Sequence, residues 1–191
     1  MRTFLFSFGP RKKAIVLEMK ESESMESHIL RIAGMHLTSN HQQDAASKRV
    51  RQLTSLQNAL FSGQLPLPHL TTIFMGDFNI FSDDAVTLRA IPSHFIDCWE
   101  AIRSDDEGVT FDPIRNPLAE ENSQNGISGR LDRIYLSSSH YQTKFASIIG
   151  NEPIAHSGNS DSTPKYARDW WPAGIVTSYY IRMCYSNNFP L

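Results

Sequence analysis

Asp77 and Asn79 are the residues whose types and spacing point most directly to chemistry. They stand at the end of the apolar run TTIFMGDFNI (71–80), immediately after Gly76. Residues i and i+2 of an extended chain point to the same side, so this carboxylate and amide would jointly hold a water or metal-bound oxygen and a phosphate oxygen. The alternative is a turn at the end of a strand, in which Asp and Asn bond the local backbone.

Two further polar residues stand in strand-like sequence. His36 ends a strand in MHLTSN, where it is either a structural histidine or a catalytic one. Asp132 lies in GRLDRIYL, an otherwise apolar strand, between Arg130 and Arg133. That setting predicts either a salt-bridged edge strand or a buried carboxylate that orients a histidine, because burying an acid without a partner is costly.

The segments before Asp77 have the pattern of a hairpin followed by a helix. Strand-like runs over 12–20 and 28–37 flank the polar ESESMES, which predicts an antiparallel hairpin with a solvated loop. Apolar residues at helical spacing then predict a helix up to Phe61, with Ser39 and Gln42 as a capping box at its start.

The segments after Asn79 predict a short helix and several strands. SDDAVTLRA reads as a helix with acids in its first turn, and SHFIDCWEAI is left open between helix and strand. The polar stretch 103–129 is a long connection, which in a compact domain is usually functional or disordered. Strands are predicted in RLDRIYL, FASIIG and the closing GIVTSYYIRMC. Strands with interspersed helices predict a layered α/β fold.

The composition is that of one ordinary globular domain over residues 1–191, with 40% hydrophobic and 20% charged residues. A formal net charge of −2 excludes a strongly basic surface but leaves room for a local basic groove. Cys98 and Cys184 match no metal-ligand spacing and are expected to be reduced and buried, which predicts an intracellular location, cytoplasmic or nuclear. No apolar run is long enough to predict a membrane span.

The order of the motifs is more specific than any one of them. HLTS, GDFN, FIDCWEAI, VTFDP and RLDRIYL follow one another along the chain. In this succession the sequence resembles the endonuclease/exonuclease/phosphatase superfamily, and within it the 5′-tyrosyl-DNA phosphodiesterase branch, over roughly residues 11–150. The resemblance implies a layered α/β sandwich that hydrolyses phosphodiesters or phosphomonoesters.

The resemblance also implies a cofactor, a class of substrate and a role for each residue. The cofactor is Mg²⁺, with Mn²⁺ as the alternative ion, and the substrate is a phosphoester such as a DNA or RNA end. Asp77 would position or activate the attacking water, and Asn79 would bond a phosphate oxygen or the nucleophile. These two are also the expected metal ligands. His36 would lie against the phosphate or pair with a second acid, and Asp132 would orient the family's catalytic histidine.

Two departures from the superfamily pattern define a second hypothesis. The resemblance starts beyond the strands that carry an asparagine and the principal Mg²⁺-binding glutamate, so we expect a sandwich that lacks its N-terminal strands. Near the C-terminus no histidine stands where Ser-Asp-His is expected: either Asp169 and Trp170 align with that motif, or WPAGIV aligns with it with residues deleted, and His156 is the candidate substitute. The alternative to a hydrolase is therefore an inactive remnant that binds phosphate or nucleic acid through Arg130, Arg133 and their neighbours.

Overall fold

The described part of the chain forms two β-sheets and three helices. The computed structural model describes residues 1–9, 12–20, 28–61, 69–123, 126–149 and 178–185. The strands are β1 (Arg2–Ser7), β2 (Lys13–Lys20), β3 (Ile29–His36), β4 (Leu70–Asp77), β5 (Ile96–Asp97), β6 (Asp132–Ser137), β7 (Tyr141–Ile149) and β8 (Ser178–Tyr185). The helices are α1 (Ala45–Phe61), α2 (Ala85–Leu88) and α3 (Pro117–Asn122).

Six strands make a mixed sheet in the order β1-β2-β3-β4-β6-β5, and β7 pairs with β8. Only β3 and β4 run parallel within the larger sheet. Parallel neighbours need a crossover connection, and α1 supplies it. The layered α/β architecture is therefore as predicted.

Helix α1 covers one face of the larger sheet, which we call the first face. Its buried residues fall at spacings of three and four, so that one side of the helix meets the strands. Leu53 and Leu56 are fully buried there against strand residues such as Val16, Ala33 and Phe74. This apolar layer is the main core of the described residues.

The second face of the sheet is apolar but only partly covered. Its side chains alternate with those of the first face and include Leu5, Ile15 and Met75, which lie in one row across the strands. Leu5 is 63% exposed and Ile15 57% exposed, whereas Ile73 in the adjacent row is buried. The next row on this face, at the end of the strands, is polar and holds the candidate site.

Most predicted elements are present, and two expectations about them are corrected. Helix α1 begins at Ala45 and not at Ser39, because Asp44 has a left-handed φ of 56° that interrupts the helix. Strand β6 lies between β4 and β5 and is no edge strand. Strand β1 was not predicted. The undecided SHFIDCWEAI contains only a two-residue strand followed by turns.

Two predictions from composition can be compared with the described residues. Cys98 is a free, buried cysteine, as expected, while the side chain of Cys184 lies outside the part of the chain that the structure describes. None of the helices within the described ranges has the length and apolar character needed to span a membrane.

Candidate functional site

His36, Asp77 and Asp132 lie side by side in one row on the second face of the sheet. The parallel pairing of β3 and β4 puts His36 beside Asp77, and the antiparallel pairing of β4 and β6 puts Asp132 opposite Asp77. His36 Nε2 is 3.3 Å from Asp77 Oδ2. Three residues that are far apart in sequence are thus gathered by strand register.

Gly76 explains why the candidate pair follows a glycine. Its φ of +130° is a conformation that side-chain-bearing residues rarely adopt. A Cβ at this position would lie 2.0 Å from the carbonyl oxygen of Met35 in β3. The close approach of the two strands just before Asp77 therefore requires glycine.

Asn79 does not continue the extended chain past Asp77, so the alternative of a turn at the end of the strand is the one that the structure shows, while the Asn79 side chain still hydrogen-bonds Asp77. Its φ of 52° turns the chain, and the residue is only 8% exposed. Its backbone N–H donates to Asp77 Oδ1 over 2.8 Å, and its side-chain Nδ2 donates to the carbonyl of Leu37 over 3.2 Å. The chain therefore turns at the end of the strand. Through its two hydrogen bonds, Asn79 connects Asp77 to the loop after His36.

Lys12 is a site residue that the sequence analysis missed. Its Nζ donates to the Leu37 carbonyl over 3.0 Å, the same oxygen that Asn79 binds. Burial lowers the pKa of Lys12, and the charge of Asp77 partly opposes that change. No local motif marks Lys12, because its position beside Asp77 depends on the pairing of β2, β3 and β4.

Burial shifts the pKa values of Asp77 and His36 towards each other. Burial raises the pKa of Asp77, while the charge of His36, a hydrogen bond from Asn79 and the charge of Lys12 act against it. Burial lowers the pKa of His36, which Asp77 partly offsets. The His36 side chain is 61% exposed and that of Asp77 is 33% exposed, so both reach solvent on this face.

Asp132 has the most strongly shifted carboxyl group of the row. Burial and then the charge of Asp77 raise its pKa to about 7, against a hydrogen bond with the Thr110 hydroxyl. Among the described residues, Arg130 and Arg133 pair with Asp97 and Glu100, so neither flanking arginine forms the salt bridge to Asp132 of the other alternative. The sequence analysis considered three residues for the C-terminal motif. All of them lie outside the described residues: His156, Asp169 and Trp170.

Arg130 and Arg133 form a separate buried cluster around Asp97. Arg130 Nη1 is 2.6 Å from Asp97 Oδ1, and Arg133 Nη1 is 3.3 Å from Asp97 Oδ2. Arg130 Nη2 also lies 2.6 Å from Glu100 Oε1. Both guanidinium groups are buried, so a phosphate would have to displace these carboxylates to reach them.

The donor set of the row agrees with a hard cation that keeps most of its water. Within the described ranges, no three His, Cys, Asp or Glu residues are arranged as a ready-made metal site. Mg²⁺ is usually bound through one or two carboxylates together with waters and substrate phosphate. Asp77 with Asp132 opposite meets that requirement, and Asn79 has only its amide oxygen to offer as a ligand.

Comparisons with known proteins find similarity in structure but not in family models. No family model matches the chain, and no curated protein matches it. Truncated Caenorhabditis elegans TDP2 superposes with a TM-score of 0.63 at 22% identity, covering 81% of this chain and 58% of that one. D. rerio TDP2, solved with a single-strand DNA product, gives 0.60 at 20% identity, covering 81% and 60%.

A more distant structure has the same architecture. An endonuclease/exonuclease/phosphatase protein from Beutenbergia cavernae superposes with a TM-score of 0.53 at 10% identity, covering 78% of this chain and 40% of that one. The chain thus has the endonuclease/exonuclease/phosphatase fold, as the order of its motifs predicted. Within that fold it is similar to TDP2, and it spans 58–60% of the length of these two TDP2 chains.

Proposed function

We propose that this chain has the function of a divalent-metal-dependent phosphodiesterase of the nuclease type, which acts on phosphoesters such as DNA or RNA ends. The observation that carries the proposal is the row of His36, Asp77 and Asp132 across three adjacent strands. The fold shared with TDP2, one structure of which holds a single-strand DNA product, supports a nucleic-acid substrate.

Within this proposal Asp77 handles the attacking water. Its Oδ1 is occupied by the N–H of Asn79, which leaves Oδ2, the atom that faces His36, to take a proton. A raised pKa makes a carboxylate a better proton acceptor near neutral pH. Neutral His36, exposed beside it, would bond the phosphate or the water and hold the water in place.

Asp132 and Lys12 would act on the substrate side of the row. Burial and the charge of Asp77 raise the pKa of Asp132 to about 7, so Asp132 would donate to or share a proton with a phosphate oxygen. Lys12 contributes a positive charge close to Asp77 and His36. It would offset part of the negative charge of a bound phosphate.

A divalent cation, Mg²⁺ or Mn²⁺, would be held by Asp77, with the Asp132 carboxylate opposite it and the Asn79 amide oxygen as the further oxygen ligands. When bound, such an ion polarises a phosphoryl oxygen and stabilises the charge that develops on the leaving oxygen. The chain's own contribution is to present Asp77 in a fixed orientation, which the Asn79 turn and Gly76 provide.

The test is hydrolysis of bis(p-nitrophenyl) phosphate and of a fluorescent single-stranded oligonucleotide by the purified protein, with and without Mg²⁺. We expect cation-dependent turnover that falls at least about 100-fold in Asp77→Asn, the lower end of the range for loss of a group that transfers a proton. Asp83→Asn is the matched control, because Asp83 is an exposed acid outside the row.

A folded wild-type protein without turnover on either substrate would refute the hydrolase proposal. Equal rates for the wild-type protein and Asp77→Asn would refute the assignment of the site. The inactive binding domain predicts oligonucleotide binding without turnover. In that case loss of binding on replacing Lys12, rather than the ion-paired Arg130 or Arg133, would locate the contact on this row.

A further inference from the structure

The Thr110 hydroxyl makes three hydrogen bonds at the start of β6. It accepts the backbone N–H of Leu131 over 3.0 Å and that of Asp132 over 3.1 Å. It also hydrogen-bonds the Asp132 carboxyl group. A hydroxyl can accept two hydrogen bonds and donate one, so Thr110 can make these three contacts at the same time. Thr110 is only 4% exposed, and its partner Leu131 is 8% exposed.

Thr110 is itself held on both sides. Its backbone N–H donates to the Gly129 carbonyl, and Phe111 and Gly129 form a pair of backbone hydrogen bonds directly after it. On the other side, Gly108 lies against the indole of Trp99, where a Cβ would come within 2.4 Å of Nε1. The segment that carries Thr110 therefore presents its hydroxyl in a fixed place.

The contacts of Thr110 continue to the other carboxylate of the row. Leu131 donates its backbone N–H to Thr110, and its backbone carbonyl accepts the N–H of Phe78, the residue after Asp77, over 2.9 Å. A single residue thus connects Thr110 to the chain at Asp77. The polar stretch 103–129 is joined to the row by a defined set of bonds.

We propose that Thr110 is a positioning residue that fixes the rotamer of Asp132 and its placement opposite Asp77. The role of that placement in hydrolysis rests on the function proposed above. The positioning itself does not, because it concerns the geometry of the protein in the absence of substrate.

The test uses two substitutions of similar size. Thr110→Val keeps the volume and shape of the side chain and removes all three hydrogen bonds. Thr110→Ser keeps the hydroxyl and removes only the methyl group. The χ1 rotamer of Asp132 is read by NMR from the three-bond couplings of Cγ to the backbone nitrogen and carbonyl carbon, in metal-free buffer.

We expect single-rotamer couplings for Asp132 in the wild-type protein and in Thr110→Ser, and averaged couplings in Thr110→Val. Unshifted amide resonances in β2 and β3 would show that the sheet is intact. A single Asp132 rotamer in Thr110→Val, or averaging in both variants, would overturn the proposal. If Thr110→Val does not fold, loss of the single rotamer in Thr110→Ser overturns it, and a retained rotamer together with the folding defect supports it.

Turnover gives a second readout that separates positioning from general support. We expect Thr110→Val to lower kcat about tenfold with little change in KM, and Asp132→Asn to lower it further. The double variant should be no slower than Asp132→Asn, since Thr110 acts through that residue. Multiplicative losses would overturn the proposal. If the wild-type protein has no turnover, the proposed function fails while the rotamer measurement still decides the role of Thr110.

Discussion

Asp97 and Asp132 are two carboxylates on paired neighbouring strands that have opposite surroundings. Asp97 is 7% exposed in its side chain and is ion-paired with Arg130 and Arg133. Asp132 faces a second carboxylate, that of Asp77, and its hydrogen bond comes from the neutral Thr110 hydroxyl. Among the described residues, the two arginines nearest to Asp132 in sequence form ion pairs with Asp97.

The difference separates a structural charge cluster from a candidate for catalysis. The buried carboxylate of Asp97 pairs with two arginines through both of its oxygens, so a ligand would have to break these pairs to bind it. Two like charges in a row destabilise the fold unless a proton or a cation is present. Such an arrangement, next to the solvent-exposed His36, is typical of functional sites.

The largest expected effect is on the Asp97 cluster. Asp97→Asn removes the buried carboxylate that pairs with both buried guanidinium groups and leaves them the exposed Glu100. Breaking a buried pair by removing one member costs about 3–5 kcal/mol, and we expect a loss of that size in the free energy of unfolding measured with urea. Asp105→Asn, at an exposed position, is the control. A loss below about 1 kcal/mol would show that Asp97 is no structural centre.

Asp132→Asn is expected to change stability in the opposite direction and to depend on pH. The folded-state pKa of about 7 lies above the unfolded value of 3.8, so the folded protein binds the proton more tightly. The charge of Asp132 therefore does not lower the free energy of unfolding below about pH 4. It lowers it increasingly as the pH rises, and by the full amount above about pH 7. Partial solvent access reduces the cost, and we expect Asp132→Asn to gain about 2 kcal/mol at pH 8.

That gain is measured as the difference in urea unfolding between variant and wild type at pH 4 and pH 8, in EDTA so that no cation screens the pair. The difference should be near zero at pH 4. Asp77→Asn should remove part of the pH dependence of Asp132, since Asp77 contributes to the raised pKa. The comparison fails if Asp132→Asn is less stable than wild type at pH 8, or if the gain is equal at both pH values.

The smallest effect is expected for Glu100→Gln. Glu100 lies 2.6 Å from Arg130, as close as Asp97, but its side chain is 66% exposed. Exposed ion pairs contribute about 0–1 kcal/mol, so the free energy of unfolding should fall by about 0.5 kcal/mol or less. A loss approaching that of Asp97→Asn would mean that distance, and not burial, sets the strength of these pairs.

Local sequence determined much of the fold. The hairpin of β2 and β3, the body of α1, strand β4 and strand β6 follow from apolar periodicity, and Gly76 marks the close approach before Asp77. Strand β1 was missed because its side chains are mostly exposed, which leaves no clear pattern of burial in the sequence. The start of α1 was placed too early because the capping signal of Ser39 is overridden by the left-handed Asp44.

Four members of the candidate site were predicted from the sequence, but their arrangement was not. The types and order of His36, Asp77, Asn79 and Asp132 were readable, because polar residues in apolar strands stand out. The orientation of Asn79, the ammonium of Lys12 and the hydroxyl of Thr110 were not, since each depends on a contact made by a distant part of the chain.

The sequence alone therefore determined the alternation that puts a polar residue at the end of each central strand, because side-chain direction along a strand has a period of two. Only the tertiary structure decided which of these residues meet. Strand register aligned His36, Asp77 and Asp132 in one row, and it gave Arg130 and Arg133 to Asp97. Register is a property of paired strands, fixed by the packing of the whole sheet.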